Sequence, residues 1–143
     1  MQRKLATVDK LNQKGQCIVN RCILCKTDSE SHQHLFFNCT FAITVWTGVL
    51  QWLGMSNRTR NMRKELKWIA RNRQRRHWKA RLYSSSLAAT VYSLWEERNG
   101  RLFREEEHGP DYILKRIQYV VSVRLLFVTN SRYKDEVVDY LNA

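Results

Sequence analysis

Three cysteines and two histidines fall within eighteen residues, in the stretch CILCKTDSESHQHLFFNC from Cys22 to Cys39. Thiolate and imidazole groups at such spacing suit a borderline-soft, four-coordinate metal. The pattern is Cys22-x2-Cys25-x8-His34-x4-Cys39. A Cys-x2-Cys turn puts two thiolates on one side of a tight loop, and a histidine and a cysteine downstream can close a tetrahedron. The expected cofactor is one structural Zn2+, held by three sulfurs and one nitrogen with no open position for catalysis. Two alternatives stay open. His32 competes with His34, and Cys17 could replace one thiolate. His34 is preferred because it precedes the apolar run Leu35-Phe36-Phe37, which can pack beside a site and fix the ring, whereas His32 sits in a polar loop.

Other chemistry is not expected. The first dozen residues are polar and charged, unlike a signal peptide. No apolar run reaches the roughly 18–20 residues that span a bilayer, and the most apolar stretch, Val120–Val128, contains Arg124. The expectation is an intracellular protein with reduced thiols, in which clustered cysteines bind metal rather than form disulfides. Trp95-Glu96-Glu97-Arg98-Asn99 groups acids with Arg and Asn. However, adjacent helical acids point in different directions. Arg98 reads as a buried or half-buried residue paired with an acid. No Ser/His/Asp set, phosphate-binding glycine loop or carboxylate pair at useful spacing is visible. Neither an enzyme nor a small-molecule substrate is expected.

The charge is concentrated. The 143-residue chain carries a formal net charge of +12. Between Arg58 and Arg81 stand eleven cations (Arg58, Arg60, Arg63, Lys64, Lys67, Arg71, Arg73, Arg75, Arg76, Lys79 and Arg81) against one acid, Glu65. That is +10 for the segment and +2 for everything else. A merely solvated face mixes signs, so a polyanion partner is expected here, nucleic acid before a membrane surface. Trp68, His77 and Trp78 lie among the cations and could stack on unpaired bases, although a core role for the tryptophans is the preferred reading. The same run suits nuclear import, so a nuclear location is expected over a cytoplasmic one.

Two runs in order carry a resemblance. The first is Leu5–Leu11 with Gly15, Cys22-Ile23-Leu24-Cys25, Glu30-Ser31, His34-Leu35-Phe36-Phe37-Asn38-Cys39 and Val45-Trp46. The second is Val91–Asn99 followed by Arg101-Leu102-Phe103. Together, over roughly residues 3 to 104, they resemble the zinc-binding domain that follows the reverse transcriptase in plant non-LTR retrotransposons of the long interspersed type. The resemblance implies zinc, with the histidine before Leu-Phe-Phe as ligand, which favours His34 over His32. It also implies association with nucleic acid, RNA or single strands before duplex DNA by analogy with the element's RNA template. No Tyr/Phe-x-Asp-Asp that would hold polymerase metals is present. The expectation is a free-standing piece of a retroelement. The rival reading is a domesticated protein-interaction or self-associating module, using the Tyr112–Val128 helix and the C-terminal extension.

The elements that must position these groups read as helical. Thr7 can cap a short helix that ends near Gly15. Short extended pieces flank the Cys-x2-Cys turn, and Thr40 can cap a helix through Phe41, Val45, Trp46, Val49, Leu50 and Leu53 that Gly54 stops. Met62, Leu66 and Ile69 carry the 3.6 period through the basic segment. Leu87, Val91, Leu94, Trp95, Arg98 and Leu102 continue it. Gly109-Pro110-Asp111 starts a further helix lined by Ile113, Ile117, Val120, Val121 and Leu125, and a last one runs from about Tyr133 to Leu141. The predicted fold is mainly α, a small helical bundle with an N-terminal CCHC loop. Residues 1–54 form the zinc-binding region, and 55–143 a basic helical region packed on it as one continuous domain.

Overall fold

The computed structural model describes residues 21–55, 62–71, 78–128 and 134–142. The helix expected before Gly15 and the alternative ligand Cys17 lie outside the described residues. Among the described residues five α-helices follow the cysteine-rich loop: α1 (Thr40–Trp52), α2 (Met62–Arg71), α3 (Trp78–Asn99), α4 (Pro110–Val128) and α5 (Lys134–Asn142). Two five-residue π-helical turns, His34–Asn38 and Gly100–Arg104, precede α1 and extend α3. Among the described residues the extended structure is a lone antiparallel bridge between Arg21 and Ser29, at the base of the cysteine turn.

The core is built by α1, α3 and α4. Val45, Trp46, Val49 and Leu50 meet Tyr83, Leu87 and Leu94, and Ile113, Ile117, Val121 and Leu125 line α4 at successive four-residue steps. This is the expected i, i+4 stripe, with one correction. Val120 is 46% exposed, because it lies one position off that stripe. Helices α1 and α4 approach closely at Gly48, where a Cβ would stand 2.7 Å from the Leu114 side chain. The three serines Ser84–Ser86 do not interrupt α3. Ser84 and Ser86 return their hydroxyls to the carbonyls of Ala80 and Leu82, so these two groups bond within the helix.

Two boundaries show local physics. Helix α1 ends in a Schellman motif: Met55 N–H donates to Leu50 O and Gly54 N–H to Gln51 O, with Gly54 at φ +66°. At its start, Thr40 is not the cap, as the sequence suggested. Cys39 holds the N-cap position in extended conformation (φ −66°, ψ 127°) and Thr40 is the first helical residue.

Helix α2 corrects a second expectation. Leu66 is 41% exposed, while Glu65 is only 4% exposed and takes the inward position between Met62 and Ile69. The acid is satisfied there by the Tyr83 hydroxyl of α3, which donates to its Oε2. A buried carboxylate without such a partner would be costly.

Candidate metal centre and basic face

Each of the four residues reaches the centre from a different local device. The Cys22–Cys25 turn is closed by Lys26 N–H to Cys22 O (2.8 Å) and Cys22 N–H to Asp28 O (2.7 Å). Lys26 turns the chain in left-handed backbone, φ 60°. His34 opens the first π-turn, where the Ser31 hydroxyl accepts its N–H (3.0 Å). That turn is closed by Cys39 N–H to His34 O, at 2.7 Å. This wide turn explains the four-residue gap between His34 and Cys39. At 3.6 residues per turn, a five-residue step would aim the two side chains about 140° apart. The i→i+5 turn brings them back to one side.

The side chains converge. Cys22 Sγ lies 3.9 Å from Cys39 Sγ, and Cys25 Sγ lies 3.2 Å from His34 Nε2. All four ligand atoms fall within 4.8 Å of one another. A tetrahedron with metal–sulfur bonds of about 2.3 Å has an edge of roughly 3.8 Å, so the donor set fits zinc in spacing, count and type. Cys22, His34 and Cys39 are buried and Cys25 is half-buried, as suits a closed structural site. None of the three cysteines is in a disulfide. His32 is not in the group; its ring stacks on Phe36 at 6.3 Å.

The electrostatics favour the thiolate at Cys39 and Cys25 and the protonated form at Cys22 and His34. Cys39 is lowered, first by the hydrogen bond from Cys22 and further by the amides of Ala42 and Phe41 at the start of α1, against the opposing effect of burial. Cys22 is raised in turn by that same hydrogen bond and by burial. Burial acts to raise Cys25, but the Asp28 amide and the Thr27 hydroxyl outweigh it and the thiol is lowered. Burial acts to lower His34, yet the sulfurs of Cys25 and Cys22 raise it. A metal replaces the shared protons of such a cluster.

The cluster is tied to α3 and the π-turn that extends it by two arginines. Arg98, 1% exposed, donates to Glu30 through Nη2 (2.8 Å to Oε1) and Nε (3.2 Å), and through Nη1 to Asn99 Oδ1 (3.0 Å). The acid partner expected for Arg98 is therefore Glu30, buried beside Ser31 in the cysteine loop. Arg101 donates to the carbonyls of Ile23 (3.2 Å) and Leu24 (3.4 Å), the residues between the first two cysteines. Its Nε donates to Glu97 Oε1 (2.8 Å), and its guanidinium lies 4.9 Å from the Phe41 ring centroid. Glu97 also accepts the His108 N–H (2.7 Å) and faces His108 Nδ1 (2.9 Å). Burial works against the charge on Glu97, but Arg101 and His108 hold its carboxyl below the usual range. Glu96 points elsewhere and accepts from Arg116 of α4. The Trp95–Asn99 run is thus a structural device. Arg101 and Glu30 as its partners were missed from sequence, and the one available signal was their place in the two runs that carried the resemblance.

The basic candidates separate by position. Arg58, Arg60, Arg73, Arg75 and Arg76 lie outside the described residues, as does His77. Arg63, Lys64, Lys67, Arg71, Lys79 and Arg81 are all exposed. On α2 the four cations fall within an arc of about 100° at 3.6 residues per turn, opposite Met62 and Glu65. The tryptophans take the core role. Trp78 is 6% exposed and donates Nε1–H to Glu136 Oε2 (3.3 Å), and half-buried Trp68 packs edge-on against Tyr83 at 5.3 Å.

A closed Cys3His cluster docked on helices defines a structural zinc module. Residues 1–46 match the family model described as zinc-binding in reverse transcriptase. The N-terminal part of the chain is thus similar to the zinc-binding domain associated with reverse transcriptase, and the cofactor is one structural Zn2+. The match ends at Trp46, so the Trp95–Asn99 run falls outside it. Neither the curated proteins nor the solved structures contain a match to the chain.

Proposed function

We propose that the protein is a non-catalytic, zinc-stabilised nucleic-acid-binding module of retrotransposon origin. Cys22, Cys25, His34 and Cys39 hold the zinc, and the basic segment contacts phosphates. One observation carries the reading. The outer arc of α2 presents Arg63, Lys64, Lys67 and Arg71, and the segment's single acid is turned inward onto Tyr83. A surface of one sign attracts a polyanion and binds it through counterion release. The same charges suit a nuclear location.

The test is a titration with nucleic acid over a salt series, repeated with Arg63, Lys64, Lys67 and Arg71 changed to Gln. Binding that weakens steeply with salt, with a shallower slope in the variant, supports the reading. A folded, zinc-loaded protein that binds nothing at low salt refutes it. The ligand set has its own check. Metal analysis should give about one zinc per chain, retained in His32→Ala and lost in His34→Ala and Cys39→Ser.

A second reading is favoured by a different surface. Tyr119 and Phe127 of α4 are 71% and 87% exposed, and Val120 and Leu126 lie beside them. Large exposed apolar groups in one row suit a protein partner or self-association. In that case the Gln variant would leave the partner interaction intact.

A further inference from the structure

We infer that the basic face recognises the double helix, DNA or RNA, in preference to single strands. This rests on the nucleic-acid reading above and names the form of polymer that face takes. Proteins that grip single strands pair a positive groove with aromatic rings on which unpaired bases stack. From Arg58 to Arg81 the sequence offers three such rings, Trp68, His77 and Trp78. The structure buries Trp78 and half-buries Trp68 against the core, and His77 lies outside the described residues. Trp78 is 6% exposed, capped by Glu136 and by Tyr140, whose ring centroid is 5.4 Å away. Trp68, half-buried on the flank of α2 between the cations and the core, packs its ring edge-on against Tyr83 at 5.3 Å. The large exposed aromatics among the described residues, Tyr92, Phe103, Tyr112, Tyr119 and Phe127, belong to α3, the turn that follows it, and α4. None is on α2.

The cations remain. Arg63, Lys67 and Arg71 recur every four residues, a rise of about 6 Å per step, so the stripe is about 12 Å long, and Lys64 flanks it. With charge as its means of contact, this surface binds the polymer with the highest charge density. A duplex carries one phosphate per roughly 1.7 Å of axis, against roughly 3.4 Å for each strand. Glu65 would dilute such a field from most positions on the helix. Its burial against Tyr83 removes it from the outer face.

The test uses the full zinc-loaded chain and four probes of equal length: duplex DNA, duplex RNA, and the corresponding single strands with unstructured sequence. Kd is measured for each over a salt series, for the natural sequence and for the Arg63→Gln, Lys64→Gln, Lys67→Gln, Arg71→Gln variant. Zinc content and circular dichroism confirm that the variant is folded. The expected result is that at least one duplex binds about fivefold or more tightly than both single strands at low salt, with a salt slope of about −0.9 per phosphate contacted. In the variant that advantage should shrink. Single strands binding as tightly as the duplexes would overturn this inference and leave the nucleic-acid reading standing. A duplex advantage undiminished in the variant would overturn its assignment to α2. Absence of binding to all four probes would overturn both.

Discussion

Two charged residues that no ligand count would select, Arg98 and Glu30, lie buried beside the cysteine loop. Arg98 and Glu30 form an ion pair with side chains 1% and 0% exposed. Removing one partner of such a pair strands a buried charge. Arg98→Met should cost about 3–5 kcal/mol in denaturant unfolding, and a Glu30→Leu/Arg98→Met double variant should recover much of that. A double variant as unstable as the single one would mean that packing, not charge, sets the cost. Glu97 gives a pH-dependent counterpart. Its folded carboxyl titrates below the ordinary value of about 4.3. Its contribution is therefore fully present above that value and is lost as pH falls through the lower, folded one. Glu97→Gln should be less stable than the natural sequence at neutral pH, and the gap should close on acidification. Unfolding midpoints measured from pH 7 downward would show the two curves converging; a constant gap contradicts the assignment.

At the scale of elements, the termini of α1 matter most, because one end carries a metal ligand. Cys39 serves as N-cap residue and ligand together, so zinc fixes the first turn of the helix that supplies Val45, Trp46 and Val49 to the core. At the other end Gly54 sits at φ +66°, a conformation that costs a residue with a Cβ roughly 1 kcal/mol. Gly54→Ala should lower stability by about that amount, read as a fall in melting temperature with zinc content unchanged. Loss of zinc in this variant would show that the C-terminus of α1 controls the site, contrary to its distance in the fold. Helix α2 illustrates the limits of periodicity. Met62, Leu66 and Ile69 look like one stripe, yet Glu65 outcompeted Leu66 for the inward position because Tyr83 could satisfy its carboxylate.

At the scale of the whole molecule, the zinc loop and α3 are linked by Glu30–Arg98 and by Arg101 on the carbonyls of Ile23 and Leu24. Structural zinc contributes folding free energy directly. Chelation should therefore do more than loosen the loop. It should lower the melting temperature and reduce amide-exchange protection in the last turn of α3 and the Gly100–Arg104 turn. Loss of protection confined to residues 22–39 would show that the arginine links transmit little.

The sequence by itself determined the spacing of the cysteines and histidines, the helical class, the local concentration of charge, and most helix positions, including the Pro110 start and the Gly54 stop. Those features follow from near neighbours along the chain: ligand spacing, a 3.6-residue period, and the backbone freedom of one glycine. Tertiary structure alone decided that Arg98 meets Glu30, 68 residues away. It also decided that Glu65 turns inward, that Trp68 and Trp78 are core rather than stacking platforms, and that Val120 faces water. Each is a choice between burial and exposure that depends on a partner from a distant element. A buried carboxylate or guanidinium is stable only where another segment supplies the opposite charge or a hydrogen bond, and that complement is not written in the local pattern.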